Sequence, residues 1–277
     1  ASLFRGRRWG WRWPCAGCCV VMILVGAGWQ YLRTRPQHLQ ITFLDVGSGD
    51  AIVVRSPGNR TVMIDGGGTY DGRFDVGARV VAPFLWEHYI RRFDLMVLTH
   101  MHPDHARGLG SLVRLFPSAH LLTNGSPLSA DYLQGLHHTA QRQGSRHHTA
   151  RYGPRVWQWE QLRLTILSPP AWGPQGAVPW LPRNENDRSL VLRLEYGDVR
   201  VLLTGDIEQG TEHWLLSQGF DLRADILKIP HHGSKTSTSP AFVRQVQPRV
   251  GIISTGAGNP YGHPHPQVLE VLRQQGV

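Results

Sequence analysis

Thr99-His100-Met101-His102-Pro103-Asp104-His105 follows directly on Phe93–Thr99 (FDLMVLT), a continuous apolar run. Such a run predicts a strand covered on both faces. His100, His102, Asp104 and His105 are therefore four potential ligands within six residues, bunched at a strand end. Imidazole nitrogen mixed with a hard carboxylate oxygen suits a divalent metal, zinc or manganese. A polar loop with incidental surface histidines would have no reason to follow a buried strand so closely.

Outward from this point the pattern alternates between strand and helix. Gln40–Val46, Ala51–Ser56 and Thr61–Asp65 read as strands, and Val76–Tyr89 has helical spacing. After the quoted stretch, Gly108–Phe116 reads as a helix and His120–Thr123 as a short strand. Residues 124–155 are polar, with His137-His138, His147-His148 and four arginines, and residues 169–185 read as a loop rich in Pro, Gly and Trp. Strand character returns over 156–168, Ser189–Tyr196 and Val199–Leu203, the last two joined by a Gly197-Asp198 turn. Glu208–Gln218, Ser239–Gln247 and Pro266–Gln275 read as helices, alternating with strands at Asp225–Ile229 and Val250–Ser254. Two groups of strands, each followed by strand–helix alternation, predict an α/β fold, a four-layer αββα sandwich.

The N-terminal end is different. Trp13–Leu32 is apolar, with no charge between Arg12 and Arg33, and is long enough to predict one transmembrane helix. Residues 1–35 are expected as a basic juxtamembrane segment with that helix, and 36–277 as the globular domain, the whole being a fragment of a longer membrane protein. Four arginines precede the apolar stretch and two follow it, which places the domain outside the inner membrane by the positive-inside rule. The formal charge is +9, but the first 35 residues hold six arginines and no acid; the rest has 23 basic against 20 acidic residues. The high pI is thus weak evidence for nucleic-acid binding by the domain itself. All three cysteines, Cys15, Cys18 and Cys19, lie in the apolar stretch, so no disulfide braces the domain.

The quoted stretch matches the H-x-H-x-D-H motif and so resembles the metallo-β-lactamase superfamily. The resemblance implies that His100 and His102 face one ion, and Asp104 and His105 a second. Asp206 in LLTGD (202–206) resembles the family's bridging aspartate. In Lys228-Ile229-Pro230-His231-His232-Gly233-Ser234-Lys235 one of the two histidines is expected to complete the second ion. Adjacency to Gly233 favours His232, leaving the other to orient a ligand or give a proton. Asp104, His263 and Lys235 are the candidate catalytic groups, Lys235 and Ser234 as phosphate contacts and His263 at the phosphate or leaving group. Asp45, Asp50, Asp65, Asn186 and Ser189 are candidates for orienting the ligands. The superfamily's further histidine between the first motif and the bridging Asp is missing: Asn184, Asn186 and Ser189 stand where it is expected.

Taken in order, FLDVGSGD, IDGGG, LTHMHPDH, ND-x-SLVL, LLTGD, LKIPHHGSKTS and NPYGHPHP resemble the C-terminal domain of the ComEC-type competence DNA-internalisation channel family, over about residues 39–277. That resemblance implies a nuclease with two divalent ions that degrades the non-transported DNA strand, with single-stranded DNA, the membrane and other parts of the uptake channel as partners. The 137–155 segment, beside Trp157 and Trp159, is the expected stacking groove. The rival readings are another hydrolase of the fold, a phosphoesterase or lactonase, and a non-catalytic DNA-binding module.

Overall fold

The computed structural model describes residues 12–126, 130–150, 155–169 and 184–277. Two six-stranded sheets form the centre. The first runs β1 (Gln40–Phe43), β2 (Ile52–Arg55), β3 (Thr61–Ile64), β4 (Phe93–Leu98), β5 (Ser118–Thr123) and β6 (Arg146–Thr149), in that order. The second runs β12 (Val250–Ile252), β11 (Ile226–Lys228), β10 (Val199–Leu203), β9 (Val191–Tyr196), β8 (Leu162–Ser168) and β7 (Val156–Trp159). In each sheet, antiparallel hairpins give way to parallel strands: β3 to β6 in the first, β10 to β12 in the second. Three buried clusters follow from this layering. One lies between the sheets, built from Ile52, Val62, Val97, Leu164, Leu192 and Val201 among others. The other two lie outside. Helices α2 (Ala82–Glu87), α3 (Pro103–Leu115) and α4 (Ala130–Arg142) cover the first sheet, and α5 (Gln209–Ser217), α6 (Pro240–Val246) and α7 (Pro266–Gln274) the second. The expected αββα sandwich is what forms.

The sequence reading erred in three places, and a fourth expectation stands unconfirmed. The helix after the metal motif starts at Pro103 and not at Gly108. Proline at the first helical position has φ already set, and Asp104 in the first turn suits the positive end of the dipole. The polar 124–155 segment, read without helix or strand, holds α4 and β6, and β6 pairs in parallel with β5. Trp157 is packed between the sheets at 7% exposure, so it cannot stack on a ligand. Residues 151–154 and most of 169–185 lie outside the described residues. Finally, the apolar N-terminal stretch does form a helix, α1 (Arg12–Thr34). Among the described residues, however, no helix is long and apolar enough to cross a membrane, so the expected transmembrane span is not borne out.

One packing device positions the site. Gly66 N donates to His105 O at 2.9 Å and Gly108 N to Gly67 O at 2.8 Å. A Cβ on Gly66 would lie 2.2 Å from Leu109 N, and one on Gly108 would lie 2.0 Å from Gly66 O. Only glycine lets the turn after β3 rest directly on the first turns of α3. That contact fixes Asp65 against His105.

Candidate metal centre

The site lies where the parallel strands of both sheets end, the usual position in α/β folds. Asp65 follows β3, the His100–His105 motif follows β4, Asp206 follows β10 and His231-His232 follow β11. Asp65 is fully buried and accepts from Thr99 N at 2.8 Å and Thr99 Oγ1 at 2.7 Å; it also meets His105 Nδ1 at 2.8 Å. These contacts decide which nitrogens face the site. His105 Nδ1 donates to Asp65, which leaves Nε2 inward. His232 Nδ1 lies 2.8 Å from the Ser254 carbonyl, which can only accept, so Nε2 again faces inward. The Thr99 hydroxyl gives its proton to Asp65, so it accepts from His100 Nδ1 at 3.1 Å. Three histidines are thus held in the tautomer that metal-bound histidines need.

The inward atoms converge. Asp206 Oδ2 is 3.3 Å from His105 Nε2 and 3.2 Å from His232 Nε2. The two nitrogens are 3.3 Å apart, and Asp104 Oδ2 is 3.6 Å from His232 Nε2. Donors about 2.0–2.1 Å from a tetrahedral zinc ion stand roughly 3.3 Å from one another. Asp104, His105, Asp206 and His232 therefore fit one ion; their donor atoms all lie within 4.8 Å of each other, and all four residues are buried. Asp104 Oδ1, Asp206 Oδ1 and His100 Nε2 are buried with no hydrogen-bond partner among the described residues. Buried polar atoms are rarely left so, and a cation would satisfy them.

Protonation supports the same reading. Burial alone would push His232 down, but Asp206 and Asp104 hold it up, to about 9. His105 is also raised well above its ordinary value, because Asp206 and Asp65 outweigh burial. Asp206 and Asp104 are held low despite burial, by the histidines facing them. His100 is lowered well below the usual histidine range by burial and by His105. In the ion-free protein, protons on His105 and His232 balance the two carboxylates.

Among the described residues, no third histidine joins His100 and His102. The two rings pack edge to face with centroids 4.8 Å apart, and His100 Nε2 lies 3.9 Å from Asp206 Oδ2. Ser189 Oγ accepts from Asp206 N at 3.1 Å and so holds the aspartate's backbone. Asn186 reaches Glu208 Oε1 at 3.2 Å and His231 Nε2 at 3.4 Å. His120 pairs with His148 and His137 with His147, at β5, β6 and α4, so these histidines have partners in one another.

The His231/His232 pair is resolved by backbone conformation. Both residues are left-handed, with φ of 47° and 54°. For residues other than glycine this costs about 1–3 kcal/mol each. It sends His232 inward and His231 toward Glu208, 3.5 Å from Nδ1. His232→Ala is therefore expected to lose metal affinity while His231→Ala keeps it, as metal analysis of the two purified variants would show; equal losses would contradict the assignment. Asp45 is exposed and accepts from Gly47 N, so it shapes a turn, and among the described residues it holds none of the ligands. Lys235 is exposed too, and among the described residues no hydrogen bond or ion pair ties it to the cluster. His263 stands one ring away, 5.8 Å from His231.

Sequence reasoning passed over several residues that matter. Thr99 sets the His100 tautomer. Glu185 accepts from Met101 N at 3.1 Å and from Ser126 Oγ at 2.8 Å, and so anchors the metal-motif loop. Lys228 is fully buried with Nζ 2.9 Å from Asp50 Oδ2, which gives Asp50 its place beside His105. The signal for Lys228 was present: a lysine inside the apolar strand ILKI.

The superfamily model for the metallo-β-lactamases matches residues 44–124, which carry the first motif. Among solved structures, the metallo-β-lactamase-fold protein YhfI from Bacillus subtilis superposes with a TM-score of 0.52 at 13% identity, covering 86% of this chain and 91% of that one. The chain therefore carries a metallo-β-lactamase domain. Among curated proteins it is 32% identical to ComE operon protein 3 of Bacillus subtilis, over 94% of this chain and 33% of the relative. It is 28% identical to competence protein ComA of Neisseria gonorrhoeae, over 93% of this chain and 33% of the relative. The resemblance to the ComEC-type family drawn from the motifs is borne out, and the chain spans about a third of these relatives' length.

Proposed function

We propose that this domain is a metal-dependent phosphodiesterase acting on DNA, the hydrolytic part of a competence DNA-uptake protein that degrades the non-transported strand. The observation that carries this is the convergence of Asp104, His105, Asp206 and His232, with Asp104 and Asp206 each keeping one buried oxygen that has no hydrogen-bond partner among the described residues. A divalent ion held there would supply Lewis acidity, a more acidic water and charge stabilisation for phosphodiester cleavage. His100, His102 and Asp206 would be the residues to hold a second ion. The protein's own contribution is orientation. Asp65 and the Ser254 carbonyl aim the imidazoles, Ser189 holds Asp206, and the Lys228–Asp50 pair backs His105. His263, lowered by burial and by its neighbours His231 and His232, is neutral at pH 7 and suited to accept or relay a proton near the leaving oxygen. The competence role is supported by the relatives' names and by the motif order. The extracytoplasmic location that goes with it rests on the arginine asymmetry around residues 12–34, and protease accessibility in intact spheroplasts tests it.

Incubating the purified chain with Mn²⁺ or Zn²⁺ and labelled single-stranded DNA is the functional test. Cleavage that chelation stops supports the reading; intact DNA alongside hydrolysis of small esters or lactones would replace it with another hydrolase.

A pH consequence follows. Ligating histidines must be neutral, whereas His105 and His232 are protonated at pH 7 in the ion-free protein. Metal binding at pH 7 is therefore expected to release about two protons per ion. Affinity should rise with pH until His232 titrates at about 9. Calorimetry in buffers of different ionisation enthalpy measures this; binding with no proton released would contradict it.

A further inference from the structure

Tyr261 is 58% exposed, yet its loop is held stiffly. Asn259 Nδ2 donates to His263 O at 2.6 Å, and His263 N donates back to Asn259 Oδ1 at 2.9 Å. His265 N donates to Gly233 O at 2.8 Å, which ties this loop to the turn carrying His231 and His232. The Tyr261 ring stacks on His263, with centroids 5.7 Å apart and planes 26° from parallel. His263 meets His231 edge-on at 5.8 Å, and His231 meets His232 at 6.2 Å. A file of four rings thus leads from solvent to a member of the metal cluster. On another lip of the site stands Tyr70, 53% exposed, with its hydroxyl within hydrogen-bonding reach of Asp104. Its loop is braced by Arg107, whose Nη1 donates to Thr69 O at 3.0 Å.

A tyrosine ring needed for folding is packed inward. Here a rigid loop holds one face-out and backs it with an imidazole. Its outer face is the platform that an unpaired base needs, and every base has a π-face. A base inside a duplex has both faces covered by its neighbours. We propose that the Tyr261–His263 pair is a stacking plate that takes one base of a single-stranded nucleic acid and sets the adjoining phosphate over the Asp104–His105–Asp206–His232 cluster. This inference rests on the DNA-directed reading above, and it replaces the expected groove at 137–155 and Trp157.

The test separates the plate from the chemistry by measuring binding without metal. The purified chain, treated with chelator, is titrated into a fluorescein-labelled oligothymidylate and into the same strand with abasic sites. Tyr261→Ala should weaken binding to the base-bearing strand roughly tenfold, and Tyr261→Phe should restore it. The abasic strand should bind the native chain and both variants alike. Equal weakening of both strands by Tyr261→Ala, or no weakening of either, would overturn the plate. If the base-dependent loss is seen but the metal-loaded native chain cuts neither strand, the plate stands and the nuclease reading falls.

Discussion

Replacing Lys228 by methionine is expected to destabilise the fold by roughly 3–5 kcal/mol, the usual cost of leaving a buried charge without its partner. Lys228 sits in β11, between β10 and β12, with no exposed surface. Its Nζ is 2.9 Å from Asp50 Oδ2 and 3.1 Å from Ile229 O. Burial alone would strip its proton, but Asp50 and then Asp206 more than offset this, so its pKa rises. A lysine whose folded pKa is raised contributes stability that is complete below its unfolded value and fades only as pH climbs through the folded one. The loss in the variant should therefore be constant from about pH 6 to 9. Methionine fills the space of the stem, so the cost is electrostatic and not a cavity. The double variant Lys228→Met/Asp50→Asn should recover most of it, since no uncompensated charge remains. Urea unfolding checks both: the midpoint should fall in the single variant with an unchanged slope and return in the double.

Asp206→Ala is expected to abolish metal binding and with it hydrolysis. Its Oδ2 lies 3.3 Å from His105 Nε2, 3.2 Å from His232 Nε2 and 3.9 Å from His100 Nε2. Changing a residue that only orients a ligand costs roughly 10–100-fold in affinity or activity. Removing the carboxylate shared by the whole centre should exceed this, to about a thousandfold or more. The effect has an internal marker. Asp206 is a leading cause of the raised His232 value. Without it, the proton on His232 should leave at lower pH, which an NMR titration of the imidazole follows even where no metal binds. An Asp206→Ala protein that retained both metal and turnover would remove the basis for the site.

The layers of the fold were legible because each strand of the centre announces itself. FDLMVLT can only be a strand buried on both faces, and the two blocks of alternation predict two sheets. Most of the cluster was legible too, because Asp104, His105 and Asp206 end strands or begin a helix at fixed chain positions. Other features depend on contacts distant in sequence. Whether His231 or His232 turns inward is decided by two left-handed residues that no local pattern announces. The salt bridge of Lys228 with Asp50 joins residues from different sheets, and the aim of His232 is set by the Ser254 carbonyl. Polarity misled the reading at 124–155: α4 carries its apolar Leu136 and Ala140 on one face, and β6 is an edge strand whose histidines pair sideways. An exposed tyrosine such as Tyr261 looks like any loop residue until its backing ring is seen.

The central claim is that Asp104, His105, Asp206 and His232 hold a divalent ion that drives phosphodiester cleavage. Metal content determined by mass spectrometry, on the same sample assayed with labelled single-stranded DNA, tests it most directly. The expected result is at least one ion bound per chain, with cleavage that disappears on chelation and returns when Mn²⁺ or Zn²⁺ is restored. A chain that binds no ion at pH 8, or one that binds an ion fully and leaves the DNA intact, would contradict it.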